Sequence, residues 1–221
     1  MVVAHNGVDL KEFQNRPSSG YLHRELGLPA GARLIVTIGQ LGIRKGTDVA
    51  LDAFGHITRE LSDVPWLVGG TRTSEKPESI AFEAQLRTDA AIVSGRVHLL
   101  GQRDDVAAIL NECHLLVHAA HQEPLGRVLL EAAACGLPVV ATDVGGTREI
   151  FPDESAGGVL VAAGDAAALA AAVVALLNDD TRRGELGAGA DRRAGAEFDA
   201  RQATHRLCKI YAASLTNTAP D

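Results

Sequence analysis

Six short apolar, β-branched runs separated by stretches of helical period constrain this chain more than any other feature. The runs are RLIVTIG (33–39), PWLVGG (65–70), RVHLLG (96–101), HLLVHA (114–119), PVVAT (138–142) and GVLVA (158–162). Between them Val49, Ala50, Ala53, Phe54, Ile57 and Leu61 keep i, i+3, i+4 spacing, as do residues 106–110, 127–135 and 166–177. Near-continuous apolar strands alternating with helices are the pattern of a parallel sheet covered on both faces. The expectation is a single doubly wound α/β domain of about six parallel strands with helices on both faces, spanning 31–215 after an N-terminal extension or interdomain segment at 1–30. Beyond Asn178 the chain turns polar and rich in Ala, Arg and Gly, then closes in an amphipathic helix at 199–215. Leu207, Ile210 and Tyr211 lie on one side of that helix and need a neighbour, while the tail TNTAPD (216–221) is expected to be disordered.

With 46% apolar residues, the 221-residue chain can bury a full core. Its formal charge of -7 gives no general attraction to nucleic acid or anionic membranes, so any phosphate must be held by a local set of cations and backbone N–H groups. Cys113, Cys135 and Cys208 are odd in number and far apart, which argues against a disulfide framework or a zinc knuckle and for a reducing compartment. The first residues lack the basic and apolar regions of a secretory leader, and no run approaches the ~18 apolar residues of a spanning helix. Cytoplasmic residence without a membrane span is therefore expected.

In an open parallel sheet, ligands bind beyond the carboxyl ends of the strands. Three strand-to-helix junctions stand out. In GQLGIRKGTD (39–48), Gly39, Gly42 and Gly46 permit a tight turn, while Arg44 and Lys45 set two cations ahead of a helix N-terminus that favours anions. The spacing matches neither the dinucleotide fingerprint nor the P-loop; a phosphate site and a turn with solvated charges both fit. In HQEPLGRVLLE (121–131), Pro124 suits the first position of a helix and Glu123 is either an acidic cap or a ligand group. Were the eight steps from Glu123 to Glu131 all helical, they would advance ~12 Å and rotate about 80°, so that both carboxylates could face one elongated ligand. A sugar at one end, a diphosphate over the N–H groups of Leu125 and Gly126, and a ribose at the other suit that span. In DVGGTRE (143–149), Gly145 and Gly146 precede Thr147, a candidate N-cap; close approach of a ligand and a simple tight turn both fit.

His114, His118 and His121 suggest a metal, but a strand spreads four residues over ~13 Å, too far for His114 and His118 to share one ion. No metal site is expected. His118 and His121 fall at the carboxyl end, where they can line a pocket. Cys135 has no assignable His and acid partners and reads as a packed small residue rather than a nucleophile.

Together with HNGVDLKEF (5–13), these loops resemble the C-terminal, donor-binding half of the family 4 retaining glycosyltransferases, whose two Rossmann-like domains face a cleft in the B-type (GT-B) fold. The resemblance rests on VTIGQLGIRKGTDVALDAF (36–54), RVHLLGQRDDV (96–106), EPLGRVLLEAAACGLPVVATDVGGTREI (123–150) and GVLVAAGD (158–165), and runs from about residue 5 to 178. It implies a Rossmann-like nucleotide-sugar-binding domain in which Glu123 contacts the donor sugar, Glu131 the ribose, and the N–H groups of Leu125 and Gly126 the sugar or distal phosphate. Lys45 matches the family's pyrophosphate lysine. The family's second cation follows the glycine that ends the first strand; here that position is Gln40, and Arg44 is expected to supply the charge instead. Arg103 matches the region where the base packs. By the same resemblance Lys45 and Arg44 stabilise the leaving diphosphate, Glu123 positions the sugar, and transfer retains configuration without a metal or other cofactor.

In that family NGVD follows the crossover from an acceptor-binding domain, and here it begins at residue 6. The expected partners are a nucleoside-diphosphate sugar and an N-terminal acceptor-binding domain or subunit, with self-association through the last helix left open. A non-catalytic nucleotide-sugar-binding or regulatory module is the competing reading. An NAD-type dehydrogenase is disfavoured by the missing dinucleotide fingerprint.

Overall fold

The computed structural model describes residues 4–93 and 95–216. Six strands, β1 (Ile35–Ile38), β2 (Trp66–Gly69), β3 (Val97–Gly101), β4 (Leu115–His118), β5 (Val139–Thr142) and β6 (Gly158–Val161), fall within the six expected runs. All pair in parallel, in the order β3-β2-β1-β4-β5-β6. The helices are α1 (Tyr21–Leu26), α2 (Thr47–Glu60), α3 (Pro77–Ile92), α4 (Val106–Glu112), α5 (Arg127–Ala134), α6 (Thr147–Ile150), α7 (Ala166–Leu177), α8 (Asp180–Glu197) and α9 (Ala200–Thr216).

Alternation along the strands divides the core in two. Ile35, Trp66, Val68, Leu115, Val117 and Val140 face α2, α3 and α7. Val36, Leu67, Leu116, Val139 and Ala141 face α4, α5, α8 and the N-terminal segment. Each large apolar side chain buried this way contributes about 1.5–3 kcal/mol. Within the first face Trp66 Nε1 donates to Thr37 Oγ1 at 3.0 Å, whose hydroxyl donates to the Val117 carbonyl at 2.9 Å. The buried indole N–H and hydroxyl are thereby satisfied.

From β1 the chain builds outward through β2 and β3, then crosses back to place β4 on the other side of β1. The connections leaving β1 and β4 therefore diverge, which opens a crevice at the switch of strand order. α5 forms the wall beside it, buried at Val128, Leu129, Leu130, Ala132, Ala133 and Ala134.

Two helices had no clear periodic signal. α3 buries only Leu86 and Ala90, too little apolar surface to mark one face. α8 buries Leu186, Gly187, Gly189, Ala190 and Ala194, a face of small residues. A Cβ at Gly187 would lie 2.4 Å from the Gly136 carbonyl oxygen, and one at Gly189 would lie 2.1 Å from that of Ser155. The helix sits directly on neighbouring backbone, so its packing leaves no hydrophobic stripe to read.

The N-terminal segment packs into the same core. Val8, Phe13 and Leu22 are buried, and Val8 exchanges backbone hydrogen bonds with Phe198 and Ala200. His5 lies 5.8 Å from the Phe198 ring and 2.5 Å from Glu149 Oε2. α9 includes Thr216, the first residue of the tail expected at 216–221; residues 217–221 lie outside the described part.

Candidate functional site

The loops after β1, β4 and β5 are joined through backbone at the carboxyl pole of the sheet. The N–H groups of His121 and Gln122 donate to the Arg44 carbonyl at 2.9 and 3.4 Å, and Gly146 N–H donates to the Glu123 carbonyl at 3.0 Å. Gly145 has φ 52°, and a Cβ there would come within 2.0 Å of the Glu123 carbonyl oxygen. At Gly146 the corresponding approach is 2.3 Å from the Pro124 carbonyl oxygen. Both glycines are thus required by close contact with the Glu123 loop, and Gly145 also by its positive φ.

The helix expected to start at Pro124 starts at Arg127, with Gly126 as its N-cap at φ 89°. The span from Glu123 to Glu131 is accordingly a bent loop of four residues followed by five helical positions, not one continuous helix. Glu123 lies ahead of the helix end and Glu131 in the middle of the helix. Among the described residues no backbone acceptor pairs with the N–H groups of Leu125, Gly126, Arg127 and Val128. They are the unsatisfied donors of a helix entrance, a favourable position for an anion. Thr147 is likewise not a cap: Gly146 takes that position, and the Thr147 hydroxyl is buried without a partner.

A 3-10 turn at Ile43–Lys45 carries the Lys45 ammonium to Glu123, with which it forms an ion pair. His118, the last residue of β4, places Nε2 3.0 Å from the same oxygen, Glu123 Oε2. Glu123 is 6% exposed and His118 2%. Burial pushes the Glu123 carboxyl up, but the hydrogen bonds from His118 and Lys45 outweigh it and bring it down to about 2. At the other end burial raises the Glu131 carboxyl, opposed by Arg127 at 3.3 Å.

The remaining candidates divide. Gly39 extends the β1–β2 ladder through Gly69, and Gly42 accepts from Lys45 N–H at 2.9 Å. Gly42, Gln40, Arg44 and Lys45 line a cavity of about 200 Å³ closed by Ser79 and Phe82 of α3. The Arg44 side chain is exposed and has no hydrogen-bonding partner among the described residues. Arg103 is held elsewhere: its guanidinium bonds Asp105 at 2.7 and 2.8 Å and Glu25 at 2.6 and 3.2 Å, and Tyr21 caps Asp105 at 2.9 Å. Its fork is occupied by carboxylates, so contact with a base would require breaking those pairs.

The His118–Glu123 pair was missed as a unit by sequence reasoning, which placed His118 only as a pocket-lining residue. The signal was its position at the carboxyl end of a switch-point strand, five residues before the acid. Burial pushes the Cys135 thiol up to about 12, which suits packing rather than nucleophilic chemistry. Among the described residues no group of three or more His, Cys, Asp or Glu is placed to hold a metal, and no helix is long and apolar enough to cross a membrane. A separate cleft of about 260 Å³, lined among others by Arg16, Asn111, His114 and Arg183, lies at the opposite pole of β4 and β5. It lies away from the switch point.

The sheet order and converging loops define a doubly wound α/β domain with an anion-friendly cleft at its switch point. Residues 32–179 match the family described as glycosyl transferases group 1. The chain belongs to that family. It is 35% identical over 217 residues to a D-inositol 3-phosphate glycosyltransferase of Xylanimonas cellulosilytica, covering 93% of this chain and 49% of that protein. The corresponding figures for the lipopolysaccharide core biosynthesis mannosyltransferase LpsB of Rhizobium meliloti are 29% over 213 residues, 95% and 60%. Anabaena Alr3699/HepE, solved in complex with UDP and glucose, superposes with a TM-score of 0.86 at 25% identity, covering 96% of this chain and 56% of that one. The C-terminal domain of a group 1 glycosyl transferase (LpcC) from Francisella tularensis shares the fold, with a TM-score of 0.77 at 22% identity, over 87% of this chain and 99% of that one. The chain spans about half the length of the first of these curated relatives.

Proposed function

We propose that this chain is the donor-binding half of a retaining, family 4 glycosyltransferase of the hexosyltransferase type. It binds a nucleoside-diphosphate sugar and acts with an acceptor-binding domain or partner subunit; on its own it is inactive. The observation that carries this reading is the buried Glu123–Lys45–His118 cluster beside the unpaired N–H groups at the entrance of α5, at the switch point of the sheet. Glu123 positions the sugar. The N–H groups of Leu125 and Gly126, with Lys45 and the exposed Arg44, face the diphosphate and stabilise its departure electrostatically. Glu131, half-buried in the middle of α5, accepts from the ribose hydroxyls. Gly39, Gly42, Gly145 and Gly146 let backbone approach the ligand. No metal or other cofactor takes part, and the protein works in the cytoplasm.

Calorimetry with UDP-glucose, GDP-mannose and ADP-glucose tests the reading, with Lys45→Ala and Glu131→Ala as controls. One sugar nucleotide should bind, and each substitution should weaken it at least about tenfold, the loss of one charge-assisted contact. Failure of every ligand at millimolar concentration would overturn the donor reading. Binding indifferent to both substitutions would move the site elsewhere. The second reading, a binding module without transfer, uses the same cleft and the same contacts; sugar transfer on adding an acceptor-binding unit would exclude it.

A further inference from the structure

The donor reading leaves His118 without a task, and the charge balance of the cluster supplies one. Glu123 Oε2 accepts from both Lys45 Nζ and His118 Nε2. The carboxylate and the ammonium neutralise each other while the site is empty. A diphosphate held by Lys45 brings its own negative charge and draws that ammonium away. Glu123, 6% exposed, would then be a buried carboxylate with no cation, an arrangement strongly disfavoured away from water.

We propose that His118 is the positioning residue of Glu123, taking up one proton from solvent when a nucleoside-diphosphate sugar engages Lys45, so that the carboxylate stays ionised and in place. The inference rests on the donor reading above. Nε2 carries the hydrogen that faces Glu123, so the incoming proton enters at Nδ1 and the ring becomes an imidazolium paired to the carboxylate. No bond to the ligand forms or breaks in this step.

The surroundings leave His118 as the group able to compensate. The ionisable groups acting on Glu123 are His118 of β4 and Lys45 of the loop after β1. On the β5 loop Asp143 is paired with Arg148, and on α5 Glu131 is paired with Arg127. Arg44 and His121 are exposed, joined to each other only through the Arg44 carbonyl. From β5 the neutral Thr142 hydroxyl donates to the Ala120 carbonyl at 2.5 Å, beside the His118 carbonyl.

The test is calorimetry of the whole chain with UDP-glucose, whose diphosphate does not titrate near neutrality, between pH 6.5 and 8.5 in two buffers of different ionisation enthalpy. The wild type should take up about one proton per ligand at the alkaline end, with affinity falling toward tenfold per pH unit there. His118→Asn and His118→Gln should bind at least about tenfold more weakly at pH 7, with a proton count near zero and a flat pH profile. A purely structural role for the ring would change melting temperature and leave the proton count intact. Imidazole NMR of the wild type, which needs no variant to fold, should show one buried ring becoming imidazolium on addition of UDP-glucose. Binding without proton uptake, uptake undiminished in both variants, or no imidazolium signal would overturn the role of His118 alone. If UDP-glucose does not bind, the same measurement is made with GDP-mannose and ADP-glucose; absence of binding by all three would overturn the donor reading, and this inference with it.

Discussion

At Glu123 the chain buries a carboxylate and keeps it ionised, because donors from β4 and from the loop after β1 converge on one oxygen. Its carboxyl lies far below the ordinary 4.5, so the contribution to stability is complete above that value and is lost as pH falls toward about 2. Glu123→Gln keeps the shape, removes the charge and leaves Lys45 unpaired. Acid unfolding monitored by circular dichroism should then lose the stabilisation that the wild type gives up over this pH window. A second residue-scale expectation concerns Gly145, whose φ of 52° and 2.0 Å clearance exclude a side chain. Gly145→Ala should cost about 1–3 kcal/mol in thermal or urea unfolding. It should also weaken sugar-nucleotide binding, since the Glu123 backbone is what the new methyl meets. At this scale the loops that bring Lys45 and Glu123 together stood out in the sequence because charged residues in glycine-bounded loops after strands have few structural reasons to be there. The carboxylate pairing of Arg103 was not legible, because Glu25, and the Tyr21 that holds Asp105, come from far away in the chain and no local pattern announces them.

Strands were read from the sequence more reliably than helices, for a packing reason. The four inner strands, β2, β1, β4 and β5, are buried on both faces and must be apolar along their length, whereas α8 meets its neighbours through glycine and alanine. Gly187 and Gly184 separate contact from propensity within that one helix. Gly187→Ala puts a methyl 2.4 Å from the Gly136 carbonyl oxygen and should destabilise by about 1–3 kcal/mol, the range for overpacking. At Gly184 an added methyl would meet nothing within 4 Å, so Gly184→Ala should stabilise by about 0.5–1 kcal/mol through helix propensity alone. Urea unfolding of the two variants measures both. α5 shows the same logic at the site: its near-complete burial holds Glu131 and the unpaired N–H groups ahead of it on a rigid wall. The start of that helix was misjudged because Pro124 is favourable at a first helical position, while the chain turns into the helix only at Gly126, whose positive φ and closeness to Leu129 and Glu123 leave no room for a Cβ.

For the whole molecule, ligand binding and folding are one equilibrium. A sugar nucleotide at a hundred times its dissociation constant should add about 2.7 kcal/mol and raise the melting temperature by about 5–10 °C, a shift that Lys45→Ala should largely remove. On α9, Leu207 and Tyr211 remain 41% and 63% exposed, so under the donor reading an acceptor-binding unit should slow amide exchange there. The hydrogen-bonded indole of Trp66 has an optical consequence. It is the chain's one tryptophan, it pairs with Ile35 at the amino end of β1, and its ring lies 5.5 Å from Phe54. Its emission should be that of a shielded chromophore and should redden sharply when the core opens. Because it sits at the far end of the strands from Lys45 and Glu123, the same signal should stay nearly constant as the cleft fills, making it a gauge of integrity rather than occupancy.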